Sequence, residues 1–338
     1  MIQELSDFSA ADSHEAEAIQ AAREGVALCD RSHWGRIQVA DADRIRFLHN
    51  QSTNDFNSLK PGQGCDTVFV TSTARTIDLA TAYILEDAVL LLVSPNCGEK
   101  LMKWLDGYIF FADRVKLKDV ASELATFSLI GPNSNTLLAQ LGAGEIVGRP
   151  DGYHQLLLLA NIEVRVAVGS GLAIPGYTLI FPSDRASTLW QKLRETGAVP
   201  LSKEGWEQLR IEQGRPVPEQ ELTADYNPLE AGLWQTISFN KGCYIGQETI
   251  ARLNTYKGVR QRLWGIRLTA PVETGTILTI ADEKVGKLTS YTKTDRGHFG
   301  LAYVRTKAGG AGLKVKVGES EGELVAVPFL TYESANLV

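Results

Sequence analysis

The stretch of this sequence with the most chemical potential is segment 241–248, which reads Lys-Gly-Cys-Tyr-Ile-Gly-Gln-Glu. Its two glycines allow the backbone to turn sharply around Cys243 and to present its N–H groups. The positive charges of Lys241 and Arg252 could favour the Cys243 thiolate, whereas the carboxylate of Glu248 would oppose it. Cys243 is therefore a candidate nucleophile, redox group or metal ligand, although a lone cysteine is more often a small buried apolar residue.

The composition of the 338 residues is that of an ordinary globular protein, with 44% hydrophobic and 22% charged residues. At roughly 150 residues per domain, this length predicts two to three domains. The four cysteines form no CxxC pair, which argues against a structural zinc site and a dense disulfide scaffold. We therefore expect no resident metal and a reducing, cytoplasmic location.

Neither a targeting signal nor a membrane segment is expected. The first 20 residues carry no Lys or Arg, unlike secretory signals and transit peptides. The most apolar stretch, Leu79 to Val93, is interrupted by Glu86 and Asp87 and falls short of the roughly 20 apolar residues that span a bilayer.

The net charge of -6 is unevenly distributed along the chain. Residues 256–338 contain 12 basic and 8 acidic residues, so this end is positive while the rest is strongly negative. The basic excess could attract a nucleic acid or another polyanion, but a solvated surface of mixed charge explains it at least as well.

Up to residue 255 the spacing of apolar residues predicts helices mixed with antiparallel strand pairs. The predicted helices run from Asp12 to near Gly25, through Leu101 and Tyr108, through Leu189 and Leu193, and from Ser202 to Gln213. Predicted hairpins turn at Glu86-Asp87 and at Ala160-Asn161. Because strands and helices do not alternate regularly, we predict an α+β fold rather than a doubly wound one.

From residue 256 onward the pattern changes to short strands separated by Gly, Pro and charged turns. The predicted strands are 263–268, 276–280, 285–291, 300–304, 313–317 and 324–327. This series predicts a small antiparallel, barrel-like domain at residues 256–338. The first region, residues 1–255, is expected to contain two subdomains.

Segment 241–248 resembles the signature of the YgfZ-type folate-binding protein family, relatives of the aminomethyltransferase of the glycine cleavage system. Other segments resemble the same superfamily along nearly the whole chain: 30–32, 35–36, 51–55, 176–177, 209–214, 227–233, 286–290 and 300–304. The resemblance implies an aminomethyltransferase-like folate-binding fold of mixed and antiparallel sheets with helices, followed by a C-terminal antiparallel β-barrel. It also implies tetrahydrofolate or a derivative as the cofactor.

The resemblance assigns roles to particular side chains. Glu212 occupies the position whose carboxylate recognises the aminopyrimidine part of the pterin, since a carboxylate can accept two N–H bonds from that edge. Tyr177 matches a tyrosine that lines the folate pocket, and Asn54, Gln247 and Arg252 are further expected cofactor contacts. The simpler alternatives are a Glu212 paired with a neighbouring arginine and a Tyr177 packed in the core.

For function, the resemblance implies an accessory protein in the assembly or repair of iron–sulfur clusters and in a linked tRNA methylthiolation step. Cys243 would be its reactive group, with Lys241 beside it. The implied partners are iron–sulfur enzymes or cluster assembly proteins. No Cys-rich spacing resembles a permanent cluster site, so the protein would assist clusters rather than contain one.

Two alternatives remain open, and with them whether the protein is an enzyme. The first is an aminomethyltransferase that acts through Asp78. Where that enzyme has a Gly-Gly-x-Ile-Asp-Asp segment, residues 74–79 read Ala-Arg-Thr-Ile-Asp-Leu, so Asp78 is present and the second acid is replaced. A position that is Asn in the enzyme is Ser94 here. The second alternative is a folate-binding module without chemistry of its own.

Overall fold

Residues 14–332 are described by the computed structural model, and they form two open β-sheets and a closed β-barrel. Residues 14–24 form helix α1, which ends at the predicted place, whereas its predicted start at Asp12 lies outside the described residues. Within residues 14–332, none of the helices is long and apolar enough to cross a membrane.

One open sheet is antiparallel and has five strands in the order β3-β4-β5-β2-β6. Its strands are β2 (Gly35–Ala40), β3 (Gly64–Val70), β4 (Thr76–Ile84), β5 (Ala88–Val93) and β6 (Lys116–Asp119). Helices α2 (Arg44–Gln51) and α3 (Gly98–Asp106) cover one face, where Leu48 and Leu101 join the apolar core of the sheet. The predicted hairpin at Glu86-Asp87 is confirmed as the β4–β5 connection.

The other open sheet has six strands in the order β11-β1-β7-β10-β9-β8, and only the β1–β11 pair is parallel. Its strands are β1 (Ala27–Asp30), β7 (Leu124–Ile130), β8 (His154–Leu159), β9 (Ile162–Val168), β10 (Gly176–Pro182) and β11 (Val199–Leu201). Helices α4 (Ser134–Gln140) and α5 (Ala186–Glu195) cover its outer face. The predicted β8–β9 turn is confirmed, with positive φ at both Ala160 and Asn161, as a tight hairpin requires.

The two open sheets face each other. Side chains of β4 and β5, such as Tyr83 and Leu92, share an apolar core with Cys29, Ile130 and Ile180 of the six-stranded sheet. The four helices α2 to α5 therefore lie on the outer faces of the two sheets.

Helix α6 (Lys203–Gln213) begins and ends where the sequence predicts. The hydroxyl of Ser202 accepts a hydrogen bond from the Gly205 amide at 3.0 Å and caps the N-terminus. Gly214 ends the helix with a φ of +88°, and a Cβ there would lie 2.3 Å from a methyl group of Val327. Only glycine meets both demands at this position.

The closed barrel follows α7 (Gln247–Thr255), a helix that the sequence analysis did not predict. Its strands are β12 (Gln261–Leu268), β13 (Ile277–Ile280), β14 (Glu283–Thr294), β15 (Gly297–Arg305), β16 (Lys314–Val317) and β17 (Ser320–Val325). All pairings are antiparallel, which confirms the predicted barrel. A β-bridge between Leu233 and Thr331 brings the end of the described chain into contact with the first region. A domain boundary at residue 256 stays a prediction.

A buried ion pair fastens α6 to the barrel. The side chains of Arg210 and Glu221 are both 0% exposed, and Arg210 Nη1 lies 3.0 Å from Glu221 Oε2. Arg210 Nη2 also donates to Ser290 Oγ of β14 at 2.9 Å, and Tyr303 of β15 donates to the Glu221 carbonyl. These contacts satisfy charges that would be costly to bury alone.

We predict that Glu221→Gln lowers the free energy of unfolding by about 1 to 3 kcal/mol, because Arg210 loses its buried counter-ion and keeps only the half-exposed Glu207. Urea denaturation measures the change. The matched control is Glu283→Gln, whose exposed pair with Arg305 should contribute no more than about 0.5 kcal/mol. Equal stability of the two variants would contradict this view of the ion pair.

Candidate functional site

A cavity of about 460 Å³ lies between the two open sheets and is closed by the C-terminal segment around Phe329. Its size is within the range of small-molecule sites. The polar lining residues are Arg31, Asn54, Asp66, Thr81, Asp151, Thr178, Gln235 and Thr331, and the larger apolar or aromatic ones are Tyr83, Val168, Leu172, Pro328 and Phe329. We call this space the central cavity.

Strand alternation on β4 decides which of its side chains reach the central cavity. Thr81 and Tyr83 line the cavity, so residues of the same parity, including Leu79, point to the inner side of the sheet. Asp78 has the opposite parity and shares the outer face with Ala80 and Ala82. The aspartate proposed for aminomethyl transfer therefore lies behind the sheet, and an apolar residue follows it on the inner face.

Asp78 is fully buried there. Its Oδ2 accepts a hydrogen bond from the Ser94 amide at 2.9 Å, whereas Oδ1 has no partner among the described residues. Burial raises the pKa of Asp78 to about 6. The Asp78 and Ser94 positions that the sequence analysis singled out are thus in contact, but away from the central cavity.

Strand β10 shows the same division. Thr178 lines the central cavity, while its neighbour Tyr177 packs in the outer core with α4 and α5. The Tyr177 hydroxyl donates to Asn135 Oδ1 at 2.6 Å, and burial raises the pKa of the phenol. Tyr177 is therefore packed in the core, as the simpler interpretation of the sequence expected, and it lies on the face of β10 opposite the cavity.

Two carboxylates in the central cavity were missed by the sequence analysis. Asp66 on β3 accepts a hydrogen bond from Thr81 Oγ1 at 2.6 Å. Asp151 belongs to the loop before β8, and its pKa is raised by burial and by the negative charge of Asp66. The sequence signal was weak, because one acid interrupts an apolar strand and the other precedes a turn glycine, as many structural aspartates do.

Asn54 is the one predicted site residue that lines the central cavity. Its side-chain amide donates to the Asp66 carbonyl at 2.8 Å, which fixes the chain next to that carboxylate. Its own carbonyl accepts a hydrogen bond from Lys241 Nζ at 2.6 Å. Asn54 thus connects the cavity wall to segment 241–248.

Lys241 is buried, and its ammonium points at backbone oxygens rather than being free to act on Cys243. Nζ donates to the carbonyls of His49, Ser52 and Asn54, at 2.8 Å to Ser52 and 2.6 Å to Asn54. The first two of these groups lie at the C-terminal end of α2, where a positive charge is favoured. Burial lowers the pKa of Lys241 to about 8. The contacts indicate an anchoring role.

Cys243 is exposed and lies outside the central cavity. Three residues later, Gly246 has a φ of +82°, and a Cβ there would lie 2.9 Å from the Thr71 carbonyl. The segment is therefore pressed against the β3–β4 turn while the thiol faces outward. Gln247 opens α7, and Arg252 forms an exposed ion pair with Glu248 at 2.9 Å. None of these side chains lines the central cavity.

Glu212 lies in a second cavity of about 490 Å³ between α6 and the barrel. Its Oε2 pairs with Arg23 Nη2 at 2.8 Å, and its Oε1 accepts from Gln208 Nε2 at 2.8 Å. The arginine partner therefore comes from α1 rather than from the end of its own helix. The structure does not bring Glu212 together with Asn54 or Cys243.

The described residues 14–332 contain no cluster of three or more His, Cys, Asp or Glu side chains that could hold a metal ion. The chemistry of the central cavity is thus that of two carboxylates, hydroxyl and amide groups, one guanidinium and an aromatic and aliphatic wall.

Comparison with known proteins identifies relatives over most of the chain. The GCVT N-terminal domain family matches residues 5–241. The Arabidopsis thaliana protein named "Putative transferase At1g60990, chloroplastic" is 49% identical over 320 residues, covering 94% of this chain and 74% of that protein. The aminomethyltransferase of Bacillus mycoides is 28% identical over 315 residues, covering 89% of this chain and 84% of the enzyme.

The fold agrees with this relationship. The crystal structure of the glycine cleavage system aminomethyltransferase T from Bartonella henselae superposes with a TM-score of 0.82 at 19% identity, over 94% of this chain and 90% of that one. The predicted aminomethyltransferase-like fold with a C-terminal barrel is confirmed. The family match over residues 5–241 and the 49% identity together establish that the chain belongs to the GCVT-domain, aminomethyltransferase-like family.

Proposed function

We propose that this protein binds tetrahydrofolate or a derivative in the central cavity. The observation that carries the proposal is the pair of carboxylates, Asp66 and Asp151, in a cavity of about 460 Å³ at the junction of the two sheets. A pterin presents a 2-aminopyrimidinone edge with several N–H donors, which a carboxylate can bind through two hydrogen bonds. Family membership supports the same ligand, because several relatives are named aminomethyltransferases.

The lining of the central cavity fits the rest of such a ligand. Tyr83, Leu172 and Phe329 offer apolar surface to a flat ring, and Thr178 adds a hydroxyl. In this proposal Asp66 and Asp151 orient the pterin, and Asn54 holds the Asp66 backbone in place. When bound, tetrahydrofolate would supply one-carbon chemistry, with the protein contributing position and electrostatics.

Aminomethyl transfer through Asp78 has less support. The carboxylate is fully buried on the outer face of β4, and the neighbouring inward position is Leu79. A reaction at Asp78 in the central cavity would require the strand to turn over, which would also remove Thr81 and Tyr83 from the cavity. We therefore favour folate binding without a catalytic role for Asp78.

For Cys243 we propose a role in the maintenance of iron–sulfur enzymes. The exposed thiol supports it, because Gly246 and Lys241 anchor the segment and leave Cys243 facing outward. Iron–sulfur enzymes or cluster assembly proteins would then be partners at this surface. Contact between nucleic acid and the basic residues after position 256 stays a prediction.

Asp66→Asn should weaken tetrahydrofolate binding by about 1.5 to 3 kcal/mol, or about 10- to 150-fold in Kd, because a charged acceptor of pterin N–H groups is lost. Anaerobic isothermal titration measures it. The comparison variant is Glu212→Gln, which should change Kd less than about threefold because Glu212 lies outside the central cavity. If Glu212→Gln weakens binding and Asp66→Asn does not, the pterin site lies at Glu212 instead.

In the native protein at pH 8, we predict fast alkylation by iodoacetamide at Cys243 alone. Burial raises the pKa of Cys29, Cys65 and Cys97 to about 12, so very little of each thiol is thiolate at that pH. Mass spectrometry of the intact chain should show one added group, and none within the same time for Cys243→Ser. Fast labelling of a second cysteine would show that the buried thiols are accessible.

The role of Cys243 is tested in cells that lack this protein. Wild type should restore iron–sulfur enzyme activity and tRNA methylthiolation, whereas Cys243→Ala should not, even though it binds tetrahydrofolate with unchanged Kd. Cys97→Ala is the matched control, because that thiol is buried. Full restoration by Cys243→Ala would show that this thiol is not required. The hypothesis of a folate-binding module without chemistry of its own would then be favoured.

A further inference from the structure

Two arginines are buried beside the central cavity, and no carboxylate of the described residues lies within ion-pair distance of either. Arg31 and Arg215 are each 1% exposed. Their guanidinium carbons lie 3.8 Å and 5.4 Å from the centre of the same Trp34 ring, and that of Arg31 lies 4.6 Å from the Trp206 ring. Within residues 14–332 neither forms an ion pair with a carboxylate, in contrast to Arg210.

The hydrogen bonds of these two groups go only to neutral oxygens. Arg31 Nη1 donates to Ser128 Oγ at 3.1 Å and to the Ser170 carbonyl at 3.2 Å. Arg215 Nη1 donates to the Gly171 carbonyl at 3.0 Å. Each Nε is buried and has no acceptor among the described residues. Burying a charge without an ion pair is costly, and the tryptophan rings offset only part of that cost, so an anion at this place would be favourable.

Of the two, Arg31 lines the central cavity. Gly171 in the cavity wall lies directly against the guanidinium of Arg31. Its φ is +87°, and a Cβ there would lie 2.5 Å from Arg31 Nη1. The loop thus approaches closely without covering the group with a side chain. Burial and the neighbouring charge of Arg215 lower the pKa of Arg31 to about 9, and the charge of Asp66, which lies beyond ion-pair distance, offsets this only in part.

We infer that Arg31 is a carboxylate subsite of the central cavity, where an acidic group of the bound ligand forms the ion pair that no carboxylate of residues 14–332 makes with this guanidinium. A guanidinium matches a carboxylate through two parallel hydrogen bonds. The inference rests on the proposed folate site, because it assigns Asp66 and Asp151 to N–H donors of the ligand and Arg31 to an acidic group. That group belongs either to the glutamyl tail of a folate or to a separate small carboxylate.

The experiment compares a probe with a carboxylate and a probe without one. Wild type, Arg31→Met and Arg31→Lys are titrated with 5-formyltetrahydrofolate and with 6-methyltetrahydropterin. We expect Arg31→Met to weaken the folate about 10- to 100-fold and the neutral pterin less than threefold, with a smaller loss for Arg31→Lys. Arg185→Met, which removes an exposed arginine outside the cavity, should change neither.

A second arm uses sodium acetate as a small carboxylate, with sodium chloride at equal ionic strength as the reference. A rise in Tm with acetate that disappears in Arg31→Met, together with unchanged folate binding, assigns the subsite to a separate carboxylate. If wild type binds neither pterin probe, the folate proposal fails, and the acetate arm still decides the subsite. Two results would overturn the inference. In the first, the Arg31 variants weaken the binding of both pterin probes equally. In the second, they change neither the binding of these probes nor the rise in Tm with acetate.

Stability distinguishes a ligand-binding Arg31 from a structural one. Because this buried charge has no ion-pair partner without ligand, Arg31→Met should leave the Tm unchanged or higher. A structural arginine would give a marked fall in Tm without any change in the preference for the carboxylate probe, and that result would also overturn the inference. If Arg31→Met does not fold, Arg31→Lys must still lose at least fivefold in affinity for the folate while retaining the pterin.

Discussion

The alternation of side chains along β4 and β10 determines what the central cavity can hold. Both strands place every second residue between the two open sheets and the others under the outer helices. Thr81, Tyr83 and Thr178 therefore reach the cavity, whereas Asp78 and Tyr177, each of opposite parity, cannot do so without inverting a strand. A candidate acid and a candidate aromatic residue are excluded from the cavity by the same rule.

Lys241 links segment 241–248 to the central cavity, a role that the sequence did not suggest. A positively charged residue near a cysteine is readily interpreted as an activator of the thiol. Here the ammonium is taken up by carbonyls at the end of α2 and at Asn54, so it fixes the relative position of the segment and the cavity wall. Cys243 is left exposed, and any reaction there would involve a partner at the surface.

The sequence predicted the parts of the fold that depend on local signals. Ser202 and Gly214 mark the ends of α6 through their capping geometry, and the Ala160-Asn161 turn is set by residues that tolerate positive φ. The barrel was predictable because its strands are short and evenly punctuated. Helix α7 was not predicted because the glycines around Cys243 indicate a turn. The turn is present, and the helix begins directly after it.

The site was harder to predict, because it depends on which faces of distant strands meet. Asp66 and Asp151 are 85 positions apart and carry no motif, and only the packing of the two sheets places both in one cavity. Arg31 belongs to a recognised segment, but its lack of an ion-pair partner is visible only in three dimensions. Asn54 was predicted as a cofactor contact because segment 51–55 resembles the aminomethyltransferase superfamily.

The central claim is that folate occupies the cavity between the sheets, with its pterin at the two carboxylates. The most direct measurement is a crystal structure of the protein with 5-formyltetrahydrofolate. We expect electron density for the pterin between β3 and β10, with its amino edge at Asp66 or Asp151. Density for the pterin beside Glu212 and Arg23, with the central cavity containing only water, would contradict it.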